Sequence, residues 1–600
     1  MKKILINMKN TFLLVPYTIK LAWNYNKMFL VSRFFLAFLQ GISPTVTVIF
    51  SKLIVEEMVN KNWRLTVSYI FISVAVSLIL YSCIHLINSA FGVYASLFRN
   101  DLFFKVLVKN TQLDLSHLDN PDIATKKELA TSSAQGNYIV DVFGSFFSIF
   151  SGCVTLSSVT YILSSVEIYI FLVLLIIILL RVLIIMANNS LGRKQFADMA
   201  PINKEVSYYM NVFCNSSYSL ELKMHGLAEW ISQKYYKLLI RINHIVIKAN
   251  KTMLGYNILG NVISSVQDIV LYLFLGWRMI FAGLGFADFT MFFSALQTFS
   301  GTVSSLIGEF IGIGDKCKYV DAYREYMTIE NNIAVVHDDD LRLKKEEVTG
   351  DIVFRNVSFK YPGGDRYVLE NVNLELNGGK FYVIVGVNGA GKSTFVNLLM
   401  RLYDVSSGEI MLNSNDIKKY NYQDYRNIFG TVFQDYQSFE FTIGENVALN
   451  DFSDSEECRS KINNCLSTVG LFEKVNSLPK KIMTMLGKLF DENGTRLSGG
   501  ELQKLALAKA IYRDPKIIIL DEPTSALDAF AEDDLIRTFG DATRGKTVFY
   551  ISHRLSVAKY ADKVIFIDGN TVSGFDSHEQ LLKNNHRYAE MYEAQAKHYT

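Results

Sequence analysis

The hydrophobic positions of this chain follow two different patterns. Up to about residue 315, apolar residues form stretches long enough to cross a bilayer, which takes about 20 residues in a helix. Six spans are predicted, at residues 28–55, 67–94, 140–163, 168–186, 254–274 and 286–313. Beyond residue 350, short apolar runs alternate with charged residues and turns, as in a soluble α/β domain. The pattern predicts a helical membrane domain (1–325), a charged linker (326–349) and a soluble domain (350–600).

Two long polar connections separate the second span from the third and the fourth from the fifth. They contain many Leu, Lys, Glu and Ala residues and little Gly or Pro, which predicts helical arms. Both arms and the N-terminal segment are rich in Lys and Arg, whereas the opposite turns hold Lys61, Arg64 and Arg278. Because cytoplasmic loops carry the excess of positive charge, we expect the arms and both termini to be cytoplasmic.

Composition agrees with a membrane protein and narrows the classes of partner. Of the 600 residues, 50% are hydrophobic and 20% are charged, which is too apolar for an ordinary soluble chain of this length. The net charge of +2 argues against nucleic acid as the main partner, and the apolar spans make membrane lipid an expected one. The cysteines lack metal-ligand spacing and are interpreted as free thiols: Cys83, Cys153, Cys214, Cys317, Cys458 and Cys465.

Asp268 is a charged residue inside a predicted span. Charges in a bilayer are costly and usually face the bundle interior or water. Asp268 has two interpretations, contact with a transported substrate or structural pairing, for example with Arg181. The sequence leaves both open.

A glycine-rich loop follows the first fully apolar strand of the soluble domain. It matches the pattern G-x-x-x-x-G-K-[ST] at Gly386, Val387, Asn388, Gly389, Ala390, Gly391, Lys392 and Ser393. Glycines let successive backbone N–H groups surround a phosphate, and a helix starting near Lys392 adds its positive dipole end. We expect Lys392 to reach the β- and γ-phosphates of ATP and the Ser393 hydroxyl to hold Mg²⁺, with Thr394 beside them.

Two carboxylates end a later apolar strand, 517–520. Asp521 is suited to Mg²⁺, either directly or through water, and Glu522 is suited to orient and polarise an attacking water. A strand that ends in acidic residues by chance is the alternative, which the upstream phosphate loop disfavours.

A second glycine-rich helix start lies between these two motifs. Ser498, Gly499, Gly500 and Glu501 precede the helical pattern 502–511 and give another phosphate-binding N-terminus. One nucleotide cannot easily use both starts of the same domain. The pair therefore predicts a composite site shared between two copies.

With these motifs the chain resembles the ABC transporter family, specifically exporters whose half-subunit fuses six membrane helices to one nucleotide-binding domain. The resemblance covers essentially the whole chain. It implies that Tyr361 stacks on adenine, that Gln434 contacts Mg²⁺ and relays to the membrane domain, and that His553 is a switch residue near the γ-phosphate. Residues 498–501 resemble the signature motif, 525–528 the segment that crosses the dimer interface, and 491–494 an acidic loop of less usual sequence.

The resemblance also implies a mechanism and an assembly. Hydrolysis of ATP would drive export across the cytoplasmic membrane, with water as nucleophile and with Glu522, His553 and Lys392 as the catalytic residues. Short coupling helices are expected near 120–129 and 213–223. One membrane domain and one ATPase domain require a second half-transporter. Intact motifs favour a homodimer, and a heterodimer or an ABC-type regulator or channel stays open.

Cargo is the least determined feature of the sequence. About 27 residues precede the first predicted span, so we expect no N-terminal protease domain that would clip a leader peptide. A peptide, a peptide-like natural product, a lipid and a hydrophobic drug all remain as cargo classes.

Overall fold

The computed structural model describes residues 2–164, 168–331, 333, 341–450, 455–523, 536–537, 539–540 and 543–596. The chain divides into two compact units. The first consists of Met1–Thr111 and Thr125–Ile329, and the second of Gln112–Ala124 and Glu330–Thr600. A short segment of the N-terminal half, Gln112–Ala124, therefore groups with the C-terminal domain.

Ten α-helices account for nearly all of the described N-terminal half. They are α1 Lys2–Tyr25, α2 Lys27–Val59, α3 Trp63–Gln112, α4 Leu115–Leu118, α5 Pro121–Gln135, α6 Tyr138–Leu163, α7 Ile168–Cys214, α8 Ser219–Met224, α9 Ala228–Phe281 and α10 Phe286–Met327. Helices α3, α7, α9 and α10 have 50, 47, 54 and 42 residues, far more than the roughly 20 that a bilayer needs. Spans and arms thus form continuous helices.

Within the described residues, five segments are long and apolar enough to cross a membrane. They are Lys27–Val59, Trp63–Gln112, Tyr138–Leu163, Val173–Met199 and Ala228–Phe281. The predicted sixth span, 286–313, lies on α10, whose many Ser, Thr and Gly residues lower its hydropathy. The count of six spans stays a prediction.

Close helix contacts hold the first unit together. Helix α10 packs on α6 and α2, and α7 packs on α9. Buried Val48, Val159, Leu271 and Leu296 belong to one apolar cluster contributed by α2, α6, α9 and α10. At Gly41 a Cβ atom would lie 2.8 Å from the Ser151 carbonyl oxygen, so only glycine allows this approach of α2 to α6.

Polar side chains inside the spans bond to one another. Ser300 Oγ donates to Gln267 Oε1 at 2.6 Å, and Arg181 Nη1 lies 3.5 Å from the same hydroxyl. Asp268 Oδ1 accepts from Gln297 Nε2 at 3.1 Å. The structure therefore bonds Asp268 to an amide and Arg181 to a hydroxyl, rather than Asp268 to Arg181.

The second unit contains two β-sheets. Its strands are β1 Ile352–Phe359, β2 Leu369–Leu376, β3 Phe381–Gly386, β4 Ser407–Leu412, β5 Asn415–Asp416, β6 Phe429–Val432, β7 Ile517–Asp521, β8 Thr547–Ile551, β9 Lys563–Asp568 and β10 Thr571–Asp576. One sheet has the order β2-β1-β4-β5 and is antiparallel. The other has the order β10-β9-β3-β8-β7-β6 and is parallel except for β10.

The second unit also contains helices between and after these strands. They are α11 Lys392–Leu399, α12 Tyr422–Arg426, α13 Ile443–Ala448, α14 Glu456–Thr468, α15 Phe472–Asn476 and α16 Gly499–Tyr512, followed by the C-terminal helices His578–Asn584 and His586–Ala596. Residues of each central strand alternate between two cores: Val383 and Ile518 lie in one, and Ile384 and Ile519 in the other. Burial on both faces explains why these strands are continuous apolar runs in the sequence.

Candidate functional site

The predicted site residues converge because four parallel strands are neighbours. In the order β3-β8-β7-β6, all four strands end at the same edge of the sheet. The phosphate loop follows β3, and His553 follows β8. Asp521 is the last residue of β7 and Glu522 is the next residue, while Gln434 follows β6. Ligands of open parallel sheets bind outside this carboxyl edge.

The phosphate loop has the backbone that its glycines permit. Gly389 and Gly391 have φ of +78° and +100°, values that residues with a Cβ atom rarely adopt. Gly391 is the residue before α11, so the first N–H groups of that helix open toward the loop. Lys392 folds back and donates from Nζ to the carbonyls of Gly386 (3.0 Å) and Val387 (3.1 Å). Burial lowers the pKa of Lys392, partly opposed by Glu522 and Asp521.

Asp521 and Ser393 give this edge an oxygen-rich pocket suited to a cation. The Asp521 carboxylate is 7% exposed and accepts a hydrogen bond from the Ser393 side chain. Among the described residues, its Oδ1 atom is buried without a hydrogen-bond partner. Burial raises the pKa of Asp521, with Glu522 adding to the rise. A carboxylate oxygen left orphaned beside a hydroxyl fits Mg²⁺, which prefers oxygen ligands.

Glu522 is the meeting point of two other predicted residues. Gln434 donates from Nε2 to Glu522 Oε2 at 3.3 Å, and His553 Nε2 contacts the other oxygen, Oε1. The Glu522 backbone has φ of +49°, unusual for a residue with a side chain, and its N–H donates to the Ile551 carbonyl at 3.1 Å. Strained backbone of this kind is held by its surroundings and clusters at functional sites.

Tyr361 contacts α11, the helix that follows the phosphate loop. Its hydroxyl is 2.9 Å from the Thr394 hydroxyl, and its ring packs edge-on against Tyr403 with centroids 5.2 Å apart. A cavity of about 480 Å³ next to this pair is lined by Tyr361, Gly363, Tyr403 and also by Ser116 and Ile333. It offers an aromatic wall for a flat ring.

The segment Gln112–Ala124 is bonded to the start of the linker and to Tyr403. Tyr403 donates its hydroxyl proton to the Asp119 carboxylate. Buried Asp114 accepts from the Ile333 N–H at 2.9 Å, and the Asn331 side chain donates to the Gln112 carbonyl at 2.7 Å. The wall of the cavity is therefore completed by a segment that lies more than 200 residues earlier in the chain.

The second glycine-rich helix start is satisfied internally. Ser498 caps α16 by accepting from the Glu501 N–H, and Glu501 Oε2 accepts from the Ser498 N–H at 2.8 Å. These hydrogen bonds and Lys474, 3.7 Å away, lower the pKa of Glu501. The Gly499 carbonyl accepts from the Tyr436 hydroxyl at 3.1 Å. In the described part of the chain, the hydrogen bonds of 498–501 do not reach the phosphate loop.

Other predicted elements have mixed outcomes. Residues 525–528 lie outside the described residues. Asp491 forms an ion pair with Lys480 at 2.8 Å. The short helix α8 overlaps the expected region 213–223. Nearly all of the other expected region, 120–129, lies inside the longer helix α5, and the short helix α4 precedes it. The turn at Asn120 and Pro121 starts a helix, α5, and the coupling role of both regions stays a prediction.

Several contact residues were missed from the sequence: Asp119, Tyr403, Tyr436 and Gln595. None belongs to a short motif. The signal available was helical periodicity in the last helix, where Tyr588, Met591, Tyr592 and Gln595 share one face at spacings of three, four and seven.

The fold and the site together define a class of protein: a P-loop ATPase domain fused to a bundle of long membrane-type helices. The family model described as "ABC transporter" matches residues 369–525. These residues include the phosphate loop, the signature-like helix start and both carboxylates.

Comparison with known proteins extends beyond this domain. The chain is 28% identical over 615 residues to the subtilin transport ATP-binding protein SpaT of Bacillus subtilis, covering 99% of this chain and 95% of that protein. It is 36% identical over 260 residues to the ATP-dependent lipid A-core flippase of Cupriavidus pinatubonensis, a match that covers 43% of each. The solved structure of a bacterial Atm1-family ABC exporter with ATP bound superposes with a TM-score of 0.81 at 21% identity, covering 95% of this chain and 98% of that one.

Residues 369–525 match the ABC transporter family, and the chain as a whole has the fold of an ABC exporter half-transporter. It is an ATP hydrolase coupled to transmembrane export. The resemblance inferred from the motifs, the fold class and ATP binding are confirmed.

Proposed function

We propose that two copies of this chain form a homodimer in the cytoplasmic membrane of a bacterium, with the ATPase domains in the cytoplasm, and export a peptide or peptide-like natural product. The observation that carries the cargo class is the extent of the match to the subtilin transporter. That match runs over 99% of this chain, so it includes the membrane domain, where cargo is selected. The matches to lipid A flippases span less than half of either chain.

The residues at the carboxyl edge are proposed to hold Mg-ATP. Backbone N–H groups of Gly389, Ala390, Gly391 and Lys392 would surround the phosphates, and Lys392 would exchange its carbonyl partners for phosphate oxygens. Ser393, Asp521 and Gln434 would supply oxygens to Mg²⁺, whose charge offsets that of the phosphates. Tyr361 would stack on adenine above the Thr394 hydroxyl.

Glu522 is proposed to orient the attacking water. Its two oxygens are held from opposite sides by Gln434 and His553, so the direction of the carboxylate is fixed before water arrives. His553 would keep that orientation and donate toward the γ-phosphate as charge develops. Catalysis is then positional and electrostatic, without a covalent intermediate.

The homodimer is supported by the second helix start. Ser498, Gly499, Gly500 and Glu501 make no hydrogen bond to the phosphate loop of their own chain within the described residues. The N–H groups of Gly499 and Gly500, which are not part of the capping box, are proposed to serve the ATP of the partner. Every predicted catalytic residue is present in this chain, so two identical copies would give two complete sites.

The deciding experiment measures ATPase activity of the full-length protein in lipid nanodiscs, with and without candidate cargo. Subtilin, the molecule named for the full-length relative, is expected to stimulate hydrolysis several-fold, and its transport into inside-out vesicles should require ATP. The Glu522→Gln variant is the matched control, because it should bind ATP and peptide without either response. Stimulation by lipid A and none by peptides would overturn the peptide assignment.

Lipid export is the second candidate, since the flippase matches are higher in identity at 36%. Asp268 distinguishes the two. Asp268 lies in a predicted span, where its Oδ1 is 3.1 Å from Gln297 Nε2. A carboxylate attracts the amino groups of a peptide and repels the phosphate groups of a phosphorylated lipid. If Asp268→Asn folds normally and transports peptide at the wild-type rate, Asp268 has no cargo role.

A further inference from the structure

The C-terminal helix His586–Ala596 reaches the loop that carries the predicted switch residue. Gln595 Nε2 donates to the His553 carbonyl at 2.7 Å, and Gln595 Oε1 accepts from the Leu555 N–H at 2.9 Å. One side-chain amide therefore bridges two backbone groups on either side of Arg554. The amide orientation follows from the partners, because a carbonyl needs a donor and an N–H needs an acceptor.

The helix itself is firmly anchored in the second unit. Tyr588 lies two turns before Gln595 on the same face of the helix and is fully buried. Its ring packs edge-on against Phe566 of β9 with centroids 5.6 Å apart, and its hydroxyl is 2.7 Å from His578 Nδ1. A residue fixed in this way gives Gln595 a rigid base, since positions i and i+7 share a helix face.

Other hydrogen bonds also hold the loop from Ser552 to Leu555. The Ser552 N–H donates to the Ile384 carbonyl of β3 at 3.2 Å, and the Arg554 N–H donates back to Ser552 Oγ at 2.9 Å. These contacts fix the start of the loop. The backbone after His553 is held by Gln595, next to a cavity of about 470 Å³ that also borders Gly386 and Asn388 of the phosphate loop.

We propose that Gln595 is a positioning residue for ATP hydrolysis: its amide fixes the backbone of His553 and Leu555 so that the His553 imidazole stays on Glu522. Gln595 acts through His553 and touches neither nucleotide nor water. The C-terminal helix is thereby part of the catalytic apparatus. This inference rests on the proposed role of His553.

The first test replaces the amide in the full-length protein in nanodiscs. Gln595→Ala is expected to lower kcat about tenfold while the KM for ATP changes less than twofold, because both hydrogen bonds orient a loop and bind no ATP. Glu593→Ala, an exposed residue on the same helix, is the matched control and should keep the wild-type kcat. A kcat of Gln595→Ala within twofold of wild type would overturn the proposal.

The second test separates positioning from folding. In Gln595→Glu an ionised carboxylate faces the His553 carbonyl and repels it, whereas a protonated carboxyl donates to that carbonyl and still accepts from Leu555 N–H. The usual pKa of a glutamate carboxyl is about 4.3, so the activity of Gln595→Glu relative to Gln595→Ala should rise as the pH falls from 8 to 5, where protonation begins. Of the described residues lining the cavity, His553 is the ionisable one, and it is present in both variants. A ratio independent of pH would contradict the bridge.

His553→Ala shows which proposal fails if one does. If His553→Ala abolishes turnover and Gln595→Ala leaves it intact, the positioning role of Gln595 is wrong and the role of His553 stands. If His553→Ala retains full turnover, the proposed role of His553 is wrong, and the positioning role of Gln595 falls with it.

Discussion

The ATPase domain contains two glycine-rich helix starts that the fold treats in opposite ways. At the start of α11, Gly391 has a left-handed backbone and no capping side chain, so the first N–H groups are open to a ligand. At the start of α16, Ser498 and Glu501 form a reciprocal capping box that occupies two of the N–H groups. The first start is prepared to receive phosphate within one chain. At the second start the cap occupies two N–H groups, so a phosphate reaching it has the N–H groups of Gly499 and Gly500 to bind.

The largest expected effect concerns Glu522, which lies at the same sheet edge as the first start. Glu522→Gln should lower ATP turnover by about 10²- to 10⁴-fold, the usual contribution of a general base, with ATP binding retained. Steady-state hydrolysis and nucleotide binding measured on the same preparation test this, with the exposed Glu579→Gln as control. Near-normal hydrolysis would refute the assignment.

Loss of the Lys392 ammonium group at the start of α11 should weaken ATP binding by roughly 10- to 100-fold, because one charged hydrogen-bonding group contributes about that much to affinity. The variant is Lys392→Ala, and the measurement is the ATP dissociation constant of the detergent-solubilised protein. Lys583→Ala, exposed on a neighbouring surface, should bind ATP normally. Unchanged affinity in Lys392→Ala would place the phosphates elsewhere.

At the capped start, Ser498→Arg should leave ATP binding intact and abolish hydrolysis, because the bulky cation blocks the phosphate of the partner chain. Mixing Lys392→Ala and Ser498→Arg chains should then restore about one quarter of wild-type activity. Half of the dimers formed at random are mixed, and each contains one complete site out of two. Absence of any recovery, with mixed dimers verified by tag capture, would contradict the composite site.

Tyr361→Ala should weaken ATP binding about tenfold, as expected for one base-stacking contact. Tyr361→Phe keeps the ring and loses the hydroxyl bond to Thr394, so its affinity should stay within about threefold of wild type. Competition between ATP and GTP supplies the measurement. Equal losses in both variants would show that the hydroxyl, rather than the ring, carries the contact.

The smallest effect is expected for Glu501→Gln. Glutamine can complete the same capping box, and the contact with Lys474 is a partly exposed ion pair at 3.7 Å. Turnover should change by less than about twofold, whereas Glu501→Ala, which removes the cap, should lower it further. A large loss in Glu501→Gln would mean that the negative charge itself is needed.

The sequence predicted the parts of the site that lie in contiguous motifs at strand ends. Lys392, Asp521 and Glu522 were located because an apolar strand precedes each motif and parallel strands end at one edge. The apolar strand predicted at 517–520 is observed as β7, Ile517–Asp521. Helix continuity in the membrane unit was underestimated, since α7 joins a span to an arm without any break in backbone bonding.

Contacts between distant segments could not be predicted. The bond of Tyr403 to Asp119 joins residues 284 apart, and neither lies in a recognisable motif. The bridge from Gln595 to the loop of His553 depends on how the last helix docks, which periodicity alone does not determine. Such contacts arise from tertiary packing, and a single sequence carries no direct signal for them.

The back-folded Lys392 has a consequence for nucleotide exchange. Its ammonium group has two carbonyl partners within the loop, which hold the loop in shape around an internal cation. If Lys392 binds phosphate as proposed, arrival of ATP replaces these oxygens with phosphate oxygens, and departure of ADP restores them. Because Lys392 has hydrogen-bond partners within the loop, release of nucleotide does not require the loop to collapse. Each new cycle then begins with a preorganised binding loop.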